Sequence, residues 1–180
     1  MFCAVTRTPL RLARCAAIVY LSGMPMRPGG GSATPFAASS PASSTAVSVI
    51  LVGGGRAQLS EPAAARDLYV SPLFARRRAR AEASGVPWFV VSGRWGLLDP
   101  GEVLAPYAFS LTQQPVSYQR AWGRFVAEQL CLVSPVTRGD VVEIYAGTTY
   151  TTALTAPIEY LGAQVHRATM GTSESEDEPR

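Results

Sequence analysis

Val47-Ser48-Val49-Ile50-Leu51-Val52-Gly53-Gly54-Gly55-Arg56 is an apolar, β-branched run that breaks into three glycines and an arginine. A run of this kind, without polar alternation, predicts a strand over 47–52 that is buried on both faces. The glycines predict a loop that another group can approach closely. Two later stretches repeat the plan. They are Trp88-Phe89-Val90-Val91-Ser92-Gly93-Arg94-Trp95-Gly96 and Val141-Val142-Glu143-Ile144-Tyr145-Ala146-Gly147-Thr148.

Helical patterns separate these strands. Residues 60–67 read as an irregular connection. Ser71 and Pro72 then predict a helix start, with the serine as N-cap and the proline at the first helical position. The helix carries Arg76-Arg77-Arg78-Ala79-Arg80, and Gly85 is its stop. Residues 97–102 read as turn-rich, and 103–107 as a short extended piece. A second helix is predicted from the spacing of Tyr118, Trp122, Phe125, Val126, Gln129 and Val133, with Ser117 as cap and Trp122 and Phe125 in the core. Arg120, Arg124 and Glu128 fall on its opposite side. Tyr150, Leu154, Ile158 and Leu161 mark a third helix, which Pro157 either shortens or kinks, and residues 163–167 predict a fourth strand. Strands alternating with helices predict an α/β fold: a three-layer, Rossmann-like sandwich with a mostly parallel central sheet.

The 180 residues suffice for one domain, placed at 47–171. Residues 1–46 hold four arginines, no acid, and a Gly/Ser/Ala/Pro-rich stretch. That composition reads as a disordered or leader segment, or as the product of a misassigned start. Residues 172–180 hold four acids against one arginine and read as an acidic tail. Between them lie eleven arginines against nine acids, so the basic total owes more to the amino-terminal segment than to the domain. All basic residues are arginine, which excludes Schiff-base chemistry and a lysine general base. Cys3, Cys15 and Cys131 are too few for a disulfide framework and suit a cytoplasmic protein; no stretch is long and apolar enough to span a bilayer.

In open α/β sheets ligands bind outside the carboxyl ends of the strands, and all three glycine loops lie there. Gly53, Gly54 and Gly55 offer backbone N–H groups to an anion. Arg56 and Arg94 suit a phosphate or carboxylate, and Gly147, Thr148, Thr149 and Tyr150 stand at a helix start. Neither a Walker A motif nor a dinucleotide fingerprint is present. His166 is the lone histidine, so no triad or histidine-rich metal set can be built, and no cofactor is expected. Glu143 lies inside an apolar strand and reads as an exposed edge-face residue rather than a tuned acid or base.

The stretches 49–59, 67–74 and 88–100, with Pro106-Tyr107 and Ala146-Gly147-Thr148-Thr149-Tyr150, resemble DUF6884, a bacterial domain family of unknown function, over roughly residues 47–170. Leu68, Tyr69, Ser71, Leu97, Leu98, Tyr107, Gly147 and Tyr150 match the family framework. The polar positions depart from it. Gly54 stands where the family has cysteine, Arg56 and Gln58 replace lysines, and Arg94-Trp95 replaces a Lys-His pair. The loops also resemble, by analogy, those of tRNA-modifying archaeosine synthases. The resemblance adds Tyr69, Ser71, Ser92 and Trp95 to the candidate ligand-binding rim. It implies a site that has lost its nucleophile and proton-transfer groups while keeping positive charge. The expected function is binding of an anionic small molecule, a nucleotide or nucleobase derivative, without catalysis. The alternatives are an enzyme of nucleic-acid or nucleobase modification, and a protein that holds nucleic acid or an acidic partner through the Arg76–Arg80 helix.

Overall fold

A computed structural model describes residues 46–168. The predicted segments at 1–46 (Ala46 apart) and 172–180 lie outside these residues. The described chain is a mixed α/β fold with four α-helices and a five-stranded, mostly parallel sheet. Its strands are β1 (Val49–Gly53), β3 (Trp88–Ser92), β4 (Gly96–Leu98), β6 (Val141–Tyr145) and β7 (Gln164–Arg167), in the order β4-β3-β1-β6-β7. Only β4 runs antiparallel to its neighbour. The strand predicted from Val47 begins at Val49; just before it the Ser48 N–H donates to the Val141 carbonyl at 2.8 Å and its hydroxyl to Asp140 Oδ1 at 2.8 Å.

β1 is central and buried along its whole length. Its alternate residues feed two apolar clusters. Val49 and Leu51 pack with Trp122, Val126 and Leu130 of α3 (Val116–Val133) and with Leu154 and Ile158 of α4 (Thr148–Tyr160). Ile50 and Val52 pack with Leu68 of α1 (Ala65–Leu68) and with Phe74 and Ala81 of α2 (Pro72–Ala83). Burial of both strand faces explains why the sequence of β1 shows no alternation.

The start of α2 follows the sequence reading. Ser71 Oγ accepts from the Phe74 N–H at 3.2 Å, Pro72 opens the helix, and Gly85 follows the last turn at φ +69°. Other elements differ from expectation. Residues 60–67 are not wholly irregular, since β2 (Ala63–Ala64) pairs antiparallel with β5 (Val103–Leu104) and leads into α1. Residues 97–102 are not all turn: Gly96–Leu98 forms the antiparallel edge strand β4, with Ser92 opposite Gly96. A short apolar strand after a tight turn carries too little pattern to be separated from a loop.

Helix α3 begins at Val116 with Pro115 in the N-cap position, so Ser117 lies inside the first turn and is not the cap. Trp122 is buried as expected, but Phe125 is 48% exposed. The buried stripe runs through Gly123 and Ala127 instead of Phe125 and Val133. Gly123 lets α3 approach α4 closely: a Cβ there would overlap the Ala153 carbonyl. Pro157 lies within α4 and neither shortens it nor delays its start. It has no N–H to return to Ala153, and the carbonyl so left over is the one turned toward Gly123. Glu143 is a half-buried residue of β6, which lies between β1 and β7, so it is not on an edge strand. His166 stands opposite it on β7, exposed.

Candidate functional site

The carboxyl ends of β1, β3 and β6 lie side by side, with Gly53 opposite Val91 and Val52 opposite Tyr145. The chain leaves β1 toward α1 and α2 and leaves β6 into α4, so helices packed in different clusters flank the gap between these strand ends. Such a gap is where open α/β sheets take ligands.

The first glycine loop is packed against tyrosine. A Cβ on Gly54 would lie 2.6 Å from Tyr69 Cζ and 2.7 Å from its Cε1, so only glycine lets the ring lie there. The Gly54 N–H donates to the Val91 carbonyl at 3.0 Å. That amide is spent inside the sheet and is not offered to an anion, contrary to the sequence reading. Gly55 lies near Ser71, whose hydroxyl already caps α2.

The hydroxyl of Tyr69 is 2.8 Å from that of Tyr107, which in turn is 2.6 Å from Ser92 Oγ. Ser92 is 1% exposed, so it anchors this chain of hydroxyls from within. Its Oγ accepts from the Arg94 N–H at 3.3 Å and the Trp95 N–H at 3.1 Å, which shapes the β3–β4 turn. The Ser92 carbonyl accepts from Trp122 Nε1 at 3.1 Å. Gln58 Oε1 accepts from the Tyr107 N–H at 3.0 Å and fixes the loop that carries Tyr107. Tyr150 joins from α4. A Cβ on Gly93 would lie 2.8 Å from its hydroxyl, so the absence of a side chain there lets the phenol approach the β3–β4 turn.

Two of these phenols, Tyr69 and Tyr150, are held neutral. Burial raises Tyr69 far above the ordinary tyrosine range, reinforced by Tyr107. Burial, with Tyr107 nearby, pushes Tyr150 up to about 12. Arg94 and Trp95 are exposed above this layer. The guanidinium lies 4.9 Å from the indole centroid, and the indole meets Tyr107 edge-on at 6.5 Å.

Tyr69, Ser92, Arg94, Trp95 and Tyr150 are thus brought together, with Gly54 beneath Tyr69. Arg56 and Thr148 are exposed on the same rim, and Gly147 occupies the N-cap position of α4 without a side-chain cap. Tyr107 and Gln58 belong to the cluster too. Sequence reasoning left both off the rim, although Pro106-Tyr107 stood among the family-like stretches.

The Arg76–Arg80 helix is built differently. Arg78 bridges Asp67 Oδ1 at 2.6 Å and Glu82 Oε1 at 2.8 Å, and Arg80 Nε donates to the Tyr145 hydroxyl at 2.6 Å. A hollow of about 280 Å³ beside this helix is lined by Arg66, Asp67, Tyr69, Phe74, Arg78 and Glu82. Its charges already pair with one another, so it is not the site that the rim residues form. Among the described residues no group of three or more His, Cys, Asp or Glu could hold a metal ion, and no helix is long and apolar enough to cross a membrane.

Comparison with curated proteins finds no match. Comparison with family models finds one over residues 49–176, most of the chain and all of the elements above. The chain belongs to DUF6884, a family of unknown function.

Proposed function

We propose that this domain is a cytoplasmic, Rossmann-like three-layer sandwich that binds an anionic small molecule, a nucleotide or nucleobase derivative, at the carboxyl rim of its sheet. It does so without catalysis. One observation carries the reading: Arg94 and Trp95 are exposed with the guanidinium against the indole, and the indole meets edge-on the ring of Tyr107, whose hydroxyl joins Ser92 at the end of β3. An indole beside a guanidinium suits a planar base and an anionic group together. The arginines of α2 suit this less well, because Arg78 and Arg80 are engaged within the fold.

The test is titration of the full chain with nucleoside mono- and diphosphates, read by thermal shift and tryptophan fluorescence. Binding is expected, and Trp95→Ala and Arg94→Ala are each expected to weaken it at least fivefold, about 1 kcal/mol. Absence of any stabilisation at millimolar ligand would overturn the reading.

A further inference from the structure

Proton accounting at the rim goes one step further and rests on the binding reading above. A hydroxyl has one hydrogen to give and two lone pairs to accept with. Both lone pairs of Ser92 Oγ are taken, by the N–H groups of Arg94 and Trp95. Its hydrogen therefore goes to its third neighbour, the Tyr107 oxygen. Tyr107 and Tyr69 share one further bond, which needs one hydrogen. The two phenols hold two. Whichever of them donates, one phenolic O–H remains uncommitted among the described residues.

Tyr150 gives the same result independently. A Cβ on Gly93 would lie 2.8 Å from its hydroxyl, and among the described residues that hydroxyl donates to no acceptor. Gly93 follows Ser92 directly, and Tyr150 is near enough to Tyr69 and Tyr107 to influence them electrostatically. Two donors thus flank the β3–β4 turn, Tyr150 at Gly93 and the Tyr69–Tyr107 pair at Ser92.

We propose that the rim recognises an oxyanion, a phosphate or a carboxylate, by two phenolic O–H donors: Tyr150 and one member of the Tyr69–Tyr107 pair. An acceptor-only group completes this array, whereas a donor or a cation leaves both hydrogens unmatched. Tyr69 is almost wholly buried and Tyr107 half-buried, so Tyr107 is the member that meets the ligand while Tyr69 closes the chain.

The test uses the full chain labelled with ¹³C at tyrosine Cζ and titrated with AMP, inorganic phosphate and malonate. The Tyr107 and Tyr150 signals are expected to move on binding, while Tyr118 and Tyr160 stay. Phosphate against malonate separates the two sources of oxyanion. Tyr107→Phe and Tyr150→Phe are each expected to weaken binding about tenfold, and the wild-type shifts report even where a variant fails to fold. Binding that leaves both Cζ signals unmoved overturns the donor array while the rim reading stands. Absence of binding by all three probes removes the rim reading, and the array with it.

Discussion

The arginine face of α2 and the hydroxyl cluster at the carboxyl rim both gather polar side chains, but they hold them by opposite means. On α2 the groups are charged, partly exposed and paired across the surface. Arg78 reaches Asp67 and Glu82 with a third to a half of each side chain in water. At the rim the groups are neutral and packed, with Ser92 and Tyr69 almost wholly buried and bonded in sequence. Water screens the first arrangement and is excluded from the second. The rim's bonds therefore matter more to stability.

The sharpest way to break this contrast is Ser92→Ala. It strips the acceptor from two turn amides and the donor from Tyr107 at once. We expect a loss of about 2–4 kcal/mol, because buried groups left without partners cost about 1–3 kcal/mol each. Urea denaturation checks it, and a loss below 1 kcal/mol would show that the rim network is as loose as the α2 face.

The neutrality of the rim can be tested by pH. Tyr150 sits at about 12 in the fold against 10.0 for an unperturbed tyrosine. A group whose folded value is raised contributes its stability below the unfolded value and loses it as pH rises toward the folded one. Tyr150's share of the stability should thus hold to about pH 10 and then fall toward pH 12, by about 2–3 kcal/mol at most, with Tyr69 adding to the fall over the same range. Tyr150→Phe should make the fall shallower. An identical slope in the variant would place the alkaline loss elsewhere.

Much of this contrast was legible in the sequence, and the reasons it was not wholly so are physical. β1, β3 and β6 declared themselves because burial on two faces demands continuous apolar runs. The α2 cap was visible because Ser71-Pro72 is a local signal whose chemistry spans four residues. Ser92 and Tyr107 were not legible as partners: their bond joins residues fifteen apart through a turn whose type the sequence does not specify. β4 escaped because three residues carry no period. Phe125 was placed in the core because the apolar positions of α3 exceed the width of its buried stripe, and spacing alone does not say which border residue is left out. The partners of the arginine cluster were not legible, since Asp67, Glu82 and Tyr145 meet it only once the chain is folded.

A smaller effect is expected at Gly54. A Cβ there would press on the Tyr69 ring at 2.6–2.7 Å, and the ring is fixed by its bond to Tyr107. Gly54→Ala should therefore cost about 1–3 kcal/mol, the range for overpacking a filled site. Coupling should appear as well: in the Tyr69→Leu background, where no ring stands over the loop, the same substitution should cost less. A double-mutant cycle measures this, and strict additivity would mean that Gly54 and Tyr69 do not press on one another.

The smallest effect belongs to α2 and completes the comparison from the other side. Arg78→Ala removes two ion-pair contacts and a bond to the Arg66 carbonyl, which by count exceeds what many rim substitutions remove. Count is not energy. All three partners are exposed, an i,i+4 pair such as Arg78–Glu82 is worth a few tenths of a kcal/mol, and surface pairs generally lie between 0 and 1 kcal/mol. We expect a loss of about 0.5–1 kcal/mol at low salt that shrinks by half or more at 1 M salt, where the screening length falls to about 3 Å. The Ser92→Ala loss should not move with salt, because no ionised group takes part in its bonds. Urea titrations of both variants at low and high salt read the two responses side by side. If Arg78→Ala keeps its full loss at 1 M salt, the α2 face is held by packing of the arginine stem rather than by its charge, and its difference from the rim is one of degree.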